Sequence, residues 1–201
     1  MSTNFIVKNL KEFQKALEQA DKDRIKAAQT AVKVEAHRLM KGLREEIKAG
    51  APGGKPFSPL SLIAQARKGK KAAKTPLARM APLVRYGTKQ TENGMTVSVG
   101  FQTYGTFSPR WLYLVEQHQK GFTRPVTDKM REALIAMGAR LGRSRTAGKK
   151  RVSNAFFLKK TTTQIDIPAR PIIEPFWDAH KQEAEQNIAL NFYRKMRGER
   201  I

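Results

Sequence analysis

The chain has 201 residues, 40% of them hydrophobic, contains no cysteine and carries a formal net charge of +22. This length suits one domain with its own core, and the missing cysteines exclude disulfides, thiol catalysis and cysteine-ligated metal sites. The longest apolar run, Trp111–Val115, is too short to cross a bilayer, and the first residues lack the apolar centre of a signal peptide. We therefore expect a single cytoplasmic domain, 1–201, without membrane contact.

The N-terminal region 8–49 has the pattern of helical structure, because it contains no proline or turn signal and two apolar stripes at helical spacing. The charged residues 21–24 separate the two stripes. We therefore predict two helices, about 9–20 and 22–48, with Asp21 as the cap between them. The first stripe consists of Leu10, Phe13 and Leu17.

A basic loop region, 50–76, follows the predicted helices. Gly50 and the Pro-Gly-Gly sequence after it predict a firm helix end. Ser58 is placed to cap a further helix, with Pro59 in its first turn and Leu60–Arg67 as its body.

The sheet core is predicted within residues 77–170. Met95–Phe101 alternates between apolar and polar residues, which makes it the clearest strand in the chain. Leu77–Tyr86 reads as a short helix that leads into a strand. If Leu83–Lys89 pairs with Met95–Phe101 around the Asn-Gly pair between them, the two form an antiparallel hairpin.

The remaining elements complete an α+β pattern. In chain order they are a helix at Trp111–Gln119, a helical insertion 126–153 with its helix at Thr127–Leu141, a strand at 155–166, and a C-terminal helix within 171–201 that begins near Pro175. We predict a small antiparallel sheet flanked by a long N-terminal helix and a C-terminal helix, with extended basic loops.

A proline-rich corner, 165–178, joins the last predicted strand to the C-terminal helix. Its three prolines fix φ and withhold backbone donors, which predicts a stiff connection around one cation, Arg170. Such a corner is either a docking surface, because little entropy is lost on binding, or an ordinary connection whose apolar residues fill the core, which is the commoner case. The candidate assembly-interface residues are Pro168, Arg170, Pro171, Phe176 and Trp177, together with Phe57 and Pro59 from the basic loop region.

The residues that catalysis would need are not grouped in the sequence. His37, His118 and His180 lie far apart on predicted helices, and we expect a structural role for each. There is no Gly-x-Ser-x-Gly pattern, and Gly50–Pro56 lacks the spacing and the preceding strand of a phosphate-binding loop. We expect no enzyme activity, no cofactor, no metal and no small-molecule substrate.

The windows 47–91, with ten basic residues, and 133–165, with eight, contain no acidic residue and so hold 18 of the 22 excess positive charges. Such blocks repel themselves and suit either a polyanion or an acidic protein surface, and charge alone does not choose between the two. Aromatic residues for base stacking are sparse, so any binding to nucleic acid would be independent of sequence. Sequence-independent binding of nucleic acid through these two windows is therefore the alternative function. The candidate contacts are Lys68, Lys70, Lys71, Lys74, Arg143, Arg145, Lys149, Lys150 and Arg151.

Several segments share a pattern with one family. Residues 53–61, Gly-Gly-Lys-Pro-Phe-Ser-Pro-Leu-Ser, resemble a "Gly, aromatic, x, Pro-Leu-Ser" element of tailed-phage virion-morphogenesis proteins. Residues 96–100 and 114–121 are similar to that family's "Val-Gly … Ala-x-x-His-x-x-Gly" core, and 167–171 match its hallmark Ile-Pro-Ala-Arg-Pro before a C-terminal helix. The family includes tail-completion, head–tail joining and minor tail proteins.

The resemblance covers most of the chain in the family's order. It departs where Ile172-Ile173-Glu174-Pro175 replaces the usual Phe-Leu-Gly, and 126–153 resembles an insertion. It implies an α+β subunit, not an enzyme, which forms a homo-oligomeric ring with six subunits expected. The ring would lie at the neck or upper tail, between head connector and tail tube.

The implied partners are further copies of the chain, neighbouring neck and tail proteins and, non-specifically, phage DNA. The implied location is the virion, after assembly in the host cytoplasm. Within the ring we expect Arg170 to anchor the corner by binding a carboxylate or backbone carbonyls. We expect Phe176 and Trp177 to pack the corner onto the sheet.

Overall fold

A computed structural model of the chain describes residues 10–59, 75–91, 94–102, 109–141, 158–159 and 161–201. Their fold is α+β, as predicted. The helices are α1 (Leu10–Ala49), α2 (Pro109–Lys120), α3 (Asp128–Leu141) and α4 (Ile173–Met196), and the strands are β1 (Val84–Thr91), β2 (Gly94–Phe101), β3 (Phe122–Pro125) and β4 (Gln164–Ile167).

The N-terminal region is a single helix of 40 residues, about 60 Å long at 1.5 Å per residue. The predicted break at Asp21 is therefore wrong. Asp21 pairs with Arg24 one turn later, at 3.2 Å, rather than capping a new helix. The charged residues that separate the apolar stripes lie on a solvent-exposed part of one continuous helix, where polar residues cost little.

Helix α1 ends where the sequence predicted. Gly50 has a φ of +84°, a left-handed conformation that glycine adopts readily at a helix C-terminus. A short 3₁₀ turn at Pro52–Gly54 follows, and the backbone N–H of Phe57 donates to the Gly50 carbonyl at 2.7 Å. These contacts fold the segment after the helix back against the end of the helix.

The predicted hairpin is present, and the short helix that precedes it is a 3₁₀ segment, Ala78–Leu83. Strands β1 and β2 pair antiparallel, with Val84 opposite Phe101 and Thr91 opposite Gly94. Arg44 of α1 donates from Nε and Nη2 to the Val84 carbonyl, at 3.0 and 2.7 Å, and so attaches the base of the hairpin to α1.

The second sheet was not predicted as a separate unit. Strand β3 pairs antiparallel with β4, so that Phe122 lies opposite Ile167, and the prediction of one small sheet becomes two sheets of two strands. Strand β3 has only four residues and ends in a proline, which removes the length and alternation that identify strands in a sequence. Of the predicted strand 155–166, the described part that forms a strand is β4.

Helix α4 packs antiparallel against α1. A Cβ at Gly42 of α1 would lie 3.7 Å from the Phe176 ring near the start of α4, whereas Ala28, farther towards the N-terminus, lines a hollow with Phe192 near the end of α4. The main core lies between these helices and the hairpin. Its buried residues are Leu39, Met40, Leu43, Ile47, Phe57, Ala81, Val84, Ile172, Phe176 and Ala184.

Several sequence predictions lie outside the described residues. They include the helix at Leu60–Arg67 and the basic residues Lys68, Lys70, Lys71, Lys74, Arg143, Arg145, Lys149, Lys150 and Arg151. These stay predictions. The predicted helices at Trp111–Gln119 and Thr127–Leu141 are confirmed by α2 and α3.

The turn after α1 gives a test of the α1–α4 packing. A Cβ at Gly53 would overlap the Pro175 carbonyl group, whereas a Cβ at Gly54 would meet no atom within 4 Å. Both glycines have positive φ, so alanine strains the backbone at either position by about 1 kcal/mol. We expect Gly53→Ala to lower the free energy of unfolding by roughly 3 kcal/mol, at the upper end of ordinary substitutions. Urea unfolding of both variants measures the difference, and equal losses would contradict the close approach.

Candidate functional site

The most sharply defined polar arrangement is at the predicted corner, where Arg170 is buried with 4% of its surface exposed. Its guanidinium donates from Nε to the Ser58 carbonyl at 3.0 Å and from Nη2 to the Pro59 carbonyl at 3.2 Å. Binding to backbone carbonyls is one of the two modes expected for this residue. The arginine thus joins the corner to the segment that follows α1. We call the residues 167–177 with their contacts the Arg170 corner.

The end of α2 supplies the second set of contacts to the Arg170 corner. The backbone N–H of Arg170 donates to the His118 carbonyl at 2.8 Å, and the N–H of Ile173 donates to Gln119 Oε1 at 3.4 Å. Gly121, with a φ of +75°, passes so close that a Cβ there would lie 2.8 Å from the Ala169 nitrogen. Only glycine combines this conformation with this approach.

Two further glycines bring other segments to the Arg170 corner. Gly53 contacts the backbone of Pro175, and a Cβ at Gly100 would lie 3.8 Å from Ile173 Cδ1. The four segments that resemble family motifs, 53–61, 96–100, 114–121 and 167–171, therefore converge at this one place. The sequence alone shows the order of the four segments along the chain but does not predict that they contact one another.

The electrostatics of the Arg170 corner are those of a buried cation without a carboxylate. Within the described part of the chain, the Arg170 guanidinium is paired with carbonyl oxygens only, and burial lowers its pKa below the ordinary value for arginine. Burial, and secondly the charge of Arg170, also lower the pKa of His118 below 6.5. Burial lowers both pKa values because the charged form of each group is poorly solvated, and Arg170 lowers the pKa of His118 further by repulsion between like charges.

His118 is held as a neutral ring beside that cation. Its ring meets the edge of Phe122 with centroids 5.5 Å apart. Its buried Nδ1 atom has no hydrogen-bond partner among the described residues. A second positive charge here would face Arg170 at short range, so the geometry favours the uncharged imidazole.

The seven candidate assembly residues divide into two groups. Phe57, Arg170 and Phe176 are buried within the chain, so their side chains lie beneath the surface of the corner. Pro59, Pro168, Pro171 and Trp177 are exposed. Phe176 belongs to one buried cluster with Leu39, Leu43 and Val84, so it packs between α1 and the hairpin.

An apolar groove beside the corner includes Trp177 in its lining. It has a volume of about 240 Å³ and lies between α1, β2 and α4. Trp177 stands at the groove with 49% of its surface exposed. The lining consists of Val32, Glu35, Ala36, Leu39, Leu43, Val97, Val99, Ile173, Phe176, Trp177, Ala184 and Ile188.

A polar network across the α1–α4 interface was missed by the sequence analysis. His180 Nε2 lies 2.6 Å from Glu46 Oε1 and its Nδ1 lies 3.5 Å from Glu183. Arg38 bridges Glu183, at 3.0 Å, to Glu35, at 2.7 Å. Because His180 and Glu183 are one helical turn apart, their spacing in the sequence indicated the contact between these two residues.

This network is structural in its geometry. Glu35 is buried, and Arg38 holds it with three hydrogen bonds, so the pKa of Arg38 is raised. Glu46 also accepts a hydrogen bond from the Gly53 N–H at 2.7 Å, which ties the turn to both helices. Two carboxylates that contact opposite nitrogens of one imidazole do not share a metal-sized centre.

Other sites were sought in the described ranges. These residues contain no group of three histidine, aspartate or glutamate side chains that could hold a metal ion. None of the described helices has the length and apolar character of a membrane span.

The chain matches no protein-family model, no curated protein and no solved structure. The family resemblance thus rests on the quoted segments alone.

The partly buried His118 predicts how stability depends on pH. Because its folded pKa is below 6.5, the unfolded chain binds a proton there that the folded chain does not, and stability falls as pH drops below 6.5 towards the folded pKa. Urea unfolding between about pH 7.5 and 5.5 measures this slope. We expect His118→Gln to reduce the slope of stability against pH. We expect His37→Gln, a substitution at an exposed histidine, to leave that slope unchanged. An unchanged slope in His118→Gln would contradict the assignment.

Proposed function

We propose that the protein is a structural subunit of a tailed-phage particle, a tail-completion or neck component. Identical subunits form a ring, with six copies expected, that joins the head connector to the tail tube. The chain acts in this proposal as a building block and not as an enzyme. Its neighbours are further copies and the neck and tail proteins above and below.

The observation that carries the proposal is the convergence at the Arg170 corner. The resemblance was stated on separate segments, and nothing in their sequence required them to meet. In the fold, Arg170 holds the Ser58 and Pro59 carbonyls, and Gly121 and Gly53 approach the corner backbone. Segments that share a pattern and also build one junction support a common architectural role.

The surface of the corner also suits attachment. Pro168 and Pro171 are exposed on a backbone that is fixed from beneath by a buried arginine. A rigid surface loses little conformational entropy when a neighbour binds, so identical contacts repeat around a ring at low cost. Trp177, half exposed beside an apolar groove, is a residue type enriched at the centres of protein interfaces.

The two acid-free windows favour a second candidate, sequence-independent binding of nucleic acid. They hold eighteen basic residues in all, and phosphate contacts need only such side chains. In the proposed particle the same windows would meet DNA or an acidic neighbouring protein.

Trp177 gives the sharpest test of the proposed role. We expect Trp177→Glu to fold normally, because the side chain is already half exposed, and to reduce incorporation into particles by at least about tenfold, the loss that roughly 1.4 kcal/mol at an interface produces. Tyr113→Glu on α2 is the matched control, since it places the same charge at an exposed aromatic position away from the groove. Particle counts by electron microscopy measure both. Equal incorporation of the two variants would contradict a role for this surface.

Arg170→Ala does not separate a role in assembly from a role in folding. Because Arg170 is buried and binds two carbonyls, its removal should destabilise the free subunit as well as assembly. Exposed corner residues therefore separate assembly from folding better than Arg170 does.

A salt titration tests the second candidate. If the basic windows bind nucleic acid directly, affinity for an arbitrary DNA duplex should fall steeply between low and moderate salt, with a slope set by the number of phosphates contacted. Replacing Lys68, Lys70, Lys71 and Lys74 together by Gln should reduce that slope. An affinity for the duplex that is unchanged by salt and by these substitutions would contradict this candidate function.

A further inference from the structure

Helix α1 extends well past the helix that packs on it. Tyr193, near the end of α4, lines a hollow together with Ala28, so residues 10–26 of α1 have no partner helix in the described structure. We call residues 10–26 the α1 overhang. It is about 25 Å long, and every residue from 11 to 26 whose side chain is described is exposed.

The α1 overhang continues the face of α1 that packs elsewhere in the chain. Leu17 precedes Ala28 by about three helical turns, and Ile25 precedes Val32 by about two. Ala28 and Val32 both line the hollow beside α4. Leu17 and Ile25 therefore point to the side that α4 would cover if it were longer, and half of each side chain is exposed, 51% and 50%.

The hollow beside the end of α4 is a second apolar surface without a partner. It has a volume of about 360 Å³, and its lining is mostly apolar, with Glu185 at its edge. Leu190, Tyr193 and Met196 are exposed on the same part of α4, at 55%, 64% and 46%. The hollow is lined by Ala28, Val32, Glu185, Ile188, Ala189, Phe192 and Tyr193.

Charge selects the occupant of these surfaces. The α1 overhang has five basic and four acidic residues, a net charge of +1, and α4 has three basic and four acidic residues, a net charge of −1. Both lie in a chain of +22. An acidic protein or a polyanion would be drawn to the basic windows. The overhang and α4 carry small net charges of opposite sign, so two copies of this cationic chain can bring these elements together without strong repulsion.

We infer that the α1 overhang of one subunit packs into the hollow beside α4 of the next. The contact uses different surfaces on its two sides, so it is heterologous, and its repetition produces a closed ring or an open filament. This inference rests on the proposed assembly of identical subunits and names the contact that joins them. The groove and corner at the other end of α4 stay available for other particle proteins.

Disulfide trapping tests the contact directly, because the chain has no cysteine of its own. Leu17→Cys in one preparation is mixed with tagged Ala189→Cys in another, and Ile25→Cys is tested in the same way. Within one chain these positions are too far apart for a disulfide, since Leu17 lies three turns beyond the hollow. We expect mixed dimers after oxidation. Lys26→Cys, nine residues from Leu17 and so on the side of the helix opposite to it, is the control and should give none.

Mass in solution supplies the second measurement. We expect Leu17→Glu to reduce the oligomer to the single-chain mass of 22.7 kDa, and Lys26→Gln, with the same change in charge, to leave the oligomer intact. Disulfides between Leu17→Cys chains alone would show two overhangs pairing with each other and would overturn the inference. An oligomer that persists in Leu17→Glu would overturn this contact while leaving the proposed ring. A wild-type chain that is monomeric and forms no mixed dimers would also overturn it, and particle incorporation would then decide the proposed function separately.

Discussion

The structure depends on one buried cation, the guanidinium of Arg170. Arg170 binds carbonyl oxygens that lie 112 and 111 residues earlier in the chain, so a single side chain joins the corner after β4 to the segment after α1. Arginine stays protonated even when it is buried, so the desolvation cost of its charge is not removed by loss of the proton. Carbonyl dipoles therefore have to solvate the charge, and they fix the corner and the segment after α1 in one arrangement.

The α1–α4 pair is the second constraint, and it works by combining apolar packing with a few polar contacts. Phe176 and Ala184 are buried against α1, while Glu46, His180 and Arg38 connect the helices at defined positions. Buried charges add little net stability, but a carboxylate such as Glu35 is costly to leave unpaired. The network thus penalises any shift of one helix along the other, and it holds the corner and the α1 overhang at opposite ends of α4.

The sequence predicted the elements with strong local patterns and missed those that depend on distant contacts. The helix end at Gly50, the hairpin of β1 and β2, and α4 each follow from turn chemistry or periodicity that nearby residues determine. Strand β3 is four residues long and gains its identity only from pairing with β4. The same holds at the corner: three prolines predicted its stiffness and Arg170 its polar anchor, but burial of Phe57 and Phe176 is a property of the assembled core.

The central claim is that the chain is a subunit built for repetition, with a rigid corner for attachment and a projecting helix for its neighbour. The most direct measurement is an electron microscopy reconstruction of the assembled protein at a resolution that separates helices. The account predicts a closed ring in which the α1 overhang of each subunit lies on α4 of the next and the corner with Trp177 faces the adjoining particle protein. Isolated monomers, or a ring whose subunits meet elsewhere and leave both surfaces in solvent, would contradict it.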